Sequence, residues 1–442
     1  MKITFILPVY WPAIGGCEIH THELVKRLSD WNDVRVITRI IRQEDKPKNG
    51  LWYGTLVSSV PRGKEYLDNK AEVIPLHLGF LERKFLYPFV RGYRKMEGVS
   101  TEVISHTFQR KIFRLINNSD LIHCVHNGAS YYGYTSLKCA RKLGVPFVFT
   151  PLLQIHQGLN EKLIAEERHG KSGIRSQDMH NLRLHLSPMG YHDKYWLNVC
   201  KEADALIAMT AFEKEFLSGK GIDHNKIHEV GVGPVLSDDY NQDEFRNRYG
   251  IGNSRMVLFL GRKHESKGIE ELLRAAGHVW KTHPQTYFCF VGPKEGKAPT
   301  IFKKYNDKRI IEIDKVDLQE KTSALAACDV FCMPSFYEAL GGVFLEAWMF
   351  EKPVIAGNTP PLAELLGHGK GGFTVELEPE TIAEKIVQLL DSKDLCKSMG
   401  KWGKKRVLSN YSWELIAGKI ENIYQSVLTI NENKKCLKSA SL

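Results

Sequence analysis

The chain has 442 residues, 43% of them hydrophobic and 25% charged, and carries a formal net charge of +10. That length suits two or three domains, the composition excludes a disordered or fibrous chain, and no apolar run approaches the roughly 20 residues of a membrane span. The basic surplus favours acidic ligands, whether nucleotide phosphates, anionic lipid or nucleic acid, without choosing among them. Nine cysteines lie scattered, mostly in or beside apolar runs, with no CxxC pair, a usage that fits a reducing cytoplasm.

In chain order, "KITFILPVY" is broken by Pro8 and reads as a first buried strand rather than a signal peptide. "PAIGGCE" follows and opens a helix around Leu24, Val25 and Leu28. Gly15 and Gly16 would let backbone approach a ligand closely, or would make only a tight turn. Their spacing is not the GxGxxG of a dinucleotide site, which disfavours a nicotinamide enzyme. "DVRVITRI" reads as the next strand. Residues 41–110, with "FLERKFLYPFVRGYRK", break the pattern and are expected to add surface helices, an acceptor-binding or membrane-touching surface being the alternative. "DLIHCV", "PFVFT" and "ALIAMT" read as further strands, with an aromatic and basic segment at 157–196 that carries the same two readings.

A second series then starts at Met256: "MVLFLG", "YFCFVG", "RIIEI", "DVFCMPS" and "KPVIAG". Continuous apolar runs suit strands buried on both faces of a parallel sheet. The helix "GIEELLRAAGHVWKT" between them repeats Ile269, Leu272, Leu273, Ala276 and Trp280 at helical spacing. The alternation implies doubly wound α/β architecture, and the Gly-, Asp- and Asn-rich stretch at 232–254 is the expected linker between two Rossmann-like domains. The tail after Asn431 is polar and expected to fray.

Two motifs carry chemistry. "GRKHESKG", Gly261 to Gly268, puts Arg262 and Lys267 on a turn between a strand and a helix, where helix dipole and free amides favour an anion; a solvated basic turn is the plain alternative. "FYEALGGVFLEAW", Phe336 to Trp348, places Glu338 on the loop after a strand and Glu346 in an apolar helix, where a lone carboxylate is expensive unless hydrogen-bonded. Cations for a diphosphate and acids for sugar hydroxyls make one coherent nucleotide-sugar site. For Glu346 alone, a helix-dipole contact or buried salt bridge would also serve.

With these pieces in this order the chain resembles family 4 of the retaining glycosyltransferases, which have the two-domain GT-B fold. The resemblance runs from the Gly15–Gly16 loop through "DLIHCVHNG", "ALIAMTAFEKEFL", "FLGRKHESKG", the E-x7-E pair and "KPVIAG" to the closing helix "YSWELIAGKIENIY". It implies a first domain over 1–235 on the acceptor side, a nucleotide-sugar domain over 236–412, and a closing helix and tail over 413–442. It implies that Glu346 holds the donor ribose, that Glu338 binds the donor sugar, and that Arg262 and Lys267 stabilise the departing diphosphate. Backbone at Leu340, Gly341 and Gly342 would orient the sugar, with Gly15 and Gly16 facing the donor. The family's cleft histidine commonly stands in H-x-H; here His123 and His126 are three apart, and His126, further along, is the expected one, with His156 as a second. Ala339 stands where the family often has glycine, which leaves the donor sugar open. No cofactor and no metal are expected. The implied partners are an NDP-hexose donor and a glycan or lipid-linked acceptor, at the cytoplasmic membrane face, with no nucleic acid. A nucleotide-sugar 2-epimerase of the same fold and a non-catalytic nucleotide-sugar-binding protein are the competing readings.

Overall fold

The computed structural model describes every residue except 46–62, 93–95, 117, 127–129, 154–193, 337 and 441–442. Among the described residues, fourteen strands form two sheets. The first contains β1 (Lys2–Ile6), β2 (Asp33–Thr38), β3 (Tyr66–Asp68), β4 (Ala71–Pro75), β5 (Leu121–Val125), β6 (Phe147–Thr150), β7 (Ala205–Ala208) and β8 (Ile227–Glu229). Its order is β3-β4-β2-β1-β5-β6-β7-β8, parallel except for the β3–β4 pair. The second contains β9 (Met256–Leu260), β10 (Tyr287–Val291), β11 (Ile310–Ile313), β12 (Val330–Met333), β13 (Val354–Gly357) and β14 (Gly372–Val375). Its order is β11-β10-β9-β12-β13-β14, all parallel.

The central strands β5, β9, β12 and β13 are buried along their whole length, as continuous apolar runs require when helices cover both faces. β11, at an edge, is half-buried despite its apolar sequence. All ten expected strands form. β3, β4, β8 and β14 were not anticipated, being short or interrupted by Asp68, Glu72, Pro75 or Glu229. The segment at 41–110 therefore adds an edge pair of strands as well as two helices, Phe80–Arg91 and Glu97–Leu115. The expected frayed tail is instead helical: Trp413–Ala440 is one helix, held on the first sheet's side partly by Asn431, whose side chain donates to the Gly144 carbonyl at 3.0 Å.

In a parallel sheet every loop that follows a strand lies at the same carboxyl edge. The helix after β7, Ala211–Gly219, meets the short helix after β13, Pro360–Leu365: the Glu364 carboxylate accepts hydrogen bonds from the amides of Ala211 at 3.0 Å and Phe212 at 2.8 Å. The carboxyl edges of the two sheets therefore face each other across a cleft. On the connecting segment the Trp413 indole donates to the Pro234 carbonyl at 2.9 Å. The closing helix then buries Tyr424, whose hydroxyl lies 2.6 Å from His123 Nδ1, while His123 Nε2 lies 2.7 Å from the Thr150 hydroxyl.

Burial holds three histidines neutral. Desolvation lowers His20 to about 4, His126 to about 3 and, with help from the nearby His20 ring, His123 to about 3. Between those values and the ordinary 6.5, the unfolded chain holds more protons than the folded one, so stability rises with pH. Unfolding free energy in urea is expected to fall as pH is lowered from neutrality towards about 4.5, by up to about 1.4 kcal/mol per unit for each buried ring. The buried Glu213 carboxyl, raised to about 7, works in the opposite direction, so a flat profile in the Glu213→Gln variant is the result that would show the rings protonated in the fold.

Candidate active site

The turn after β9 and the loop after β12 are built as one piece. Gly268 has φ +71°, and a Cβ there would stand 2.2 Å from the Pro334 carbonyl oxygen, so only glycine lets the two segments touch. The Phe336 amide donates to the Ser266 carbonyl at 3.0 Å. Lys267 forms an ion pair with Glu338, and Ser335 Oγ donates to the same Glu338 oxygen at 3.2 Å. Behind the turn Lys263 is fully buried, its ammonium on Glu312 at 2.9 Å and the Ile313 carbonyl at 2.8 Å; desolvation lowers its pKa despite these partners. Arg262 points outward, 57% exposed, and pairs with Glu295 at 2.9 Å. An exposed pair of this kind is weak, so the guanidinium is available to a stronger anion.

The loop continues through Leu340, whose side chain is buried, to Gly341, which adopts φ +82° where a Cβ would meet Phe344 at 2.7 Å. The left-handed residue is thus Gly341 rather than Ala339. Gly342 starts the helix Gly342–Met349, and a Cβ added there would meet only the Val232 side chain, at 3.8 Å. The helix is pinned by its apolar faces: Phe344 packs edge-on against Phe331, and the buried Trp348 donates to the Gly371 carbonyl at 2.9 Å. It ends at Met349, with Phe350 and Glu351 just beyond.

Glu346 projects from this helix into the linker. Its Oε1 accepts from the Val235 amide at 3.2 Å and from the Lys321 ammonium at 2.7 Å, and the same ammonium donates to the Val235 carbonyl at 2.6 Å. Its Oε2 is buried and accepts no hydrogen bond among the described residues. The salt-bridge reading of Glu346 therefore accounts for one oxygen and leaves the other, and an orphaned buried carboxylate oxygen calls for a donor such as a ligand hydroxyl.

Across the cleft, Gly15 caps the helix Gly16–Leu28 and lies against the buried Glu18 carboxylate; Gly16 has open space around it. His123 is a core histidine with both nitrogens bonded. His126 is also buried, its amide on the Thr150 carbonyl at 3.0 Å and its ring edge-on to Tyr132. Exposure therefore does not separate the two histidines. His156 and most of the 157–196 segment lie outside the described residues. Among the described residues, no group of three or more His, Cys, Asp or Glu is placed to hold a metal ion.

Two facing parallel sheets with a basic turn and an acid pair at the cleft define the glycosyltransferase fold of GT-B type. The chain belongs to glycosyltransferase family 4, the enzymes that use nucleotide-sugar donors: it matches the model "Glycosyltransferase Family 4" over residues 14–233 and "Glycosyl transferases group 1" over residues 241–406. Similar curated proteins include spore coat protein SA of Bacillus subtilis, 26% identical over 42% of this chain and 52% of that protein. The uncharacterized glycosyltransferase MJ1178 of Methanocaldococcus jannaschii is 23% identical over 95% of this chain and 97% of its own length. A GDP-mannose-dependent monoacylated alpha-(1-6)-phosphatidylinositol monomannoside mannosyltransferase of Corynebacterium glutamicum is 28% identical over 39% and 46%. The chain thus spans about half the length of the first and third of these and nearly all of the second. Among solved structures, Anabaena Alr3699/HepE in complex with UDP and glucose matches with TM-score 0.65 at 16% identity, over 96% of this chain and 100% of that one. Sucrose-phosphate synthase from Thermosynechococcus elongatus matches with TM-score 0.69 at 18% identity, over 97% and 99%. At these identities the structural likeness is one of fold.

Sequence reading missed Lys321, Lys263, Glu364 and Glu213. Only Glu213 carried a local signal, the T-x-x-E of a capping box in "TAFE". Its carboxylate reaches elsewhere, to the amides of Met209 at 2.6 Å and Leu153 at 3.0 Å; burial outweighs those two bonds and raises its pKa to about 7. The Lys321–Glu346 contact makes a testable pair. Lys321→Met is expected to destabilise by about 1–3 kcal/mol in urea, because it strands a buried carboxylate. Adding Glu346→Gln should restore much of that loss. Additive losses in the two-mutation cycle would show that the pair is not made.

Proposed function

We propose that the chain is a retaining hexosyltransferase that moves a sugar from an NDP-hexose to a hydroxyl of a glycan or lipid-linked acceptor, in surface polysaccharide or glycolipid synthesis at the cytoplasmic membrane face. The observation that carries this is Glu346 Oε2, a buried acceptor with no donor among the described residues, on the same sheet edge as the Lys267–Glu338 pair. In this reading residues 1–235 form the acceptor side, 236–412 the donor side, and 413–442 the closing helix. The mannosyltransferase among the relatives is named for a lipid-borne acceptor, which supports that acceptor class.

Each residue then has a task. Glu346 Oε2 takes a ribose hydroxyl, while Lys321 fixes the other oxygen. Lys267 swings part of its charge from Glu338 to the diphosphate, and Arg262 leaves its exposed partner Glu295 to join it. Glu338, freed of part of its ion pair, accepts from sugar hydroxyls, and backbone at Leu340, Gly341 and Gly342 orients the ring. Gly15 and Gly16 leave room for the donor opposite, and neutral His126, with His156, offers hydrogen bonds to the sugar. In the transfer the bond between the anomeric carbon and the diphosphate oxygen breaks, its electron pair leaving with the diphosphate. The acceptor oxygen bonds to the same face of that carbon and gives its proton to the departing phosphate. The protein's contribution is charge on the leaving group and position for the acceptor.

Calorimetry with UDP and GDP is expected to show weaker binding by Glu346→Gln; unchanged affinity in a folded variant removes Glu346 from the site. Release of nucleoside diphosphate from a donor panel, with an acceptor mixture, tests the activity and should survive EDTA. Release that does not depend on acceptor would favour the epimerase-type reaction. Arg262→Ala and Lys267→Ala should each lower kcat about a hundredfold, more than they raise KM for donor. The double variant should fall short of the summed loss, since both act on one diphosphate. Near-normal turnover in both single variants would move the diphosphate site elsewhere in the cleft.

A further inference from the structure

The helix Phe80–Arg91 has one face buried by Leu86 and Val90 and another open to solvent. On the open face stand Phe80, 60% exposed, Leu81 at 78%, Phe85 at 56% and Tyr87 at 49%. Lys84 and Arg91 share that face, and the Lys84 ammonium lies 4.5 Å over the Phe80 ring. The helix's one acid is turned away: Glu82 accepts from the Gly79 amide at 2.7 Å and pairs with Lys111 at 3.0 Å. Four large apolar groups in water beside two cations, with no anion among them, are costly to a protein that meets only solvent.

The helix is also placed where contact would matter. β4 runs parallel to β2, so its end at Pro75 lies on the carboxyl edge of the first sheet, and only Leu76 to Gly79 separate it from Phe80. The open face thus starts beside the mouth of the cleft, on the side opposite the donor turn.

We infer that this face docks on an anionic lipid bilayer, the aromatic and leucine side chains entering the headgroup boundary and Lys84 and Arg91 meeting lipid phosphates. The mix of aromatics and cations on a helix lying along a surface is the chemistry that an anionic membrane selects. A second copy of the chain is a poorer occupant, because a twofold contact would bring the same cations together. The inference deepens the reading of a lipid-linked acceptor by naming where the chain would meet it, and it is tested without donor or acceptor, so its failure is separate from failure of that reading.

The ligand-free protein is sedimented with vesicles of phosphatidylcholine alone and of phosphatidylcholine with an equal part of phosphatidylglycerol. Binding to the anionic vesicles is expected to exceed binding to the neutral ones about tenfold and to weaken in molar salt. Lys84→Glu with Arg91→Glu, and separately Phe80→Ser with Leu81→Ser and Phe85→Ser, should each lower binding about tenfold or more while keeping the wild-type melting temperature. Should either variant unfold, hydrogen exchange on the wild type decides: residues 80–91 become protected on anionic vesicles if the face docks. Equal binding to both vesicle types, folded variants that bind like wild type, absent protection at 80–91, or self-association through this helix without vesicle binding would each overturn the assignment.

Discussion

The carboxylate of Glu364 resting on the amides of Ala211 and Phe212 is the contact that makes the two sheets one protein. Each sheet brings its loops to its own carboxyl edge, and neither edge alone offers both a phosphate-binding turn and an opposing wall. A carboxylate on a helix N-terminus is a charge-assisted contact and uses amides that the helix leaves unbonded, so it costs little to form and is directional. The Trp413 indole on Pro234 and Tyr424 on His123 complete the crossing from two further directions. Apolar burial runs alongside these polar contacts: one core cluster extends from Phe5 and Val125 of the first sheet through Trp413, Ile416 and Tyr424 to Phe259 and Phe331 of the second.

The acids are handled in three different ways, and the differences sort them by use. Glu213 is buried among backbone amides, bonded to no cation among the described residues, and burial raises its pKa to about 7; it braces the segment after β6. Glu338 is neutralised by Lys267 at the edge of the cleft, in a pair that a diphosphate can disturb. Glu346 is half-neutralised by Lys321 and keeps one oxygen without a donor among the described residues. A buried ion pair adds little to stability by itself, because desolvation offsets most of the attraction. What such pairs supply is orientation.

The strands and the placement of the two motifs were legible because each is written locally: apolar runs, a basic turn, and an acid inside an apolar helix. The elements that escaped, β3, β4, β8 and β14, are short and carry polar residues whose pairing depends on neighbours far along the chain. The tail was misread for the same reason, since its helix is held in part by the Gly144 carbonyl 287 positions away. Within the site, the motif residues could be named, but not their partners. Lys321 is 25 positions from Glu346, and Lys263 is 49 from Glu312, both on elements that read by themselves as solvated charge. Only the folded sheet order brings them together.

The cations of the second sheet stand in pairs with its own acids. Arg262, Lys267 and Lys321, with the buried Lys263 behind the turn, all come from the second sheet, each beside an acid of that same sheet. On the first sheet, the Arg39 guanidinium is buried just after β2, where desolvation lowers its pKa, and burial keeps His126 uncharged at neutral pH. In the proposed reading, negative charge that develops in the cleft would be met on the second sheet's side by cations already held in place and able to exchange an acid partner for a phosphate, while the first sheet receives the acceptor.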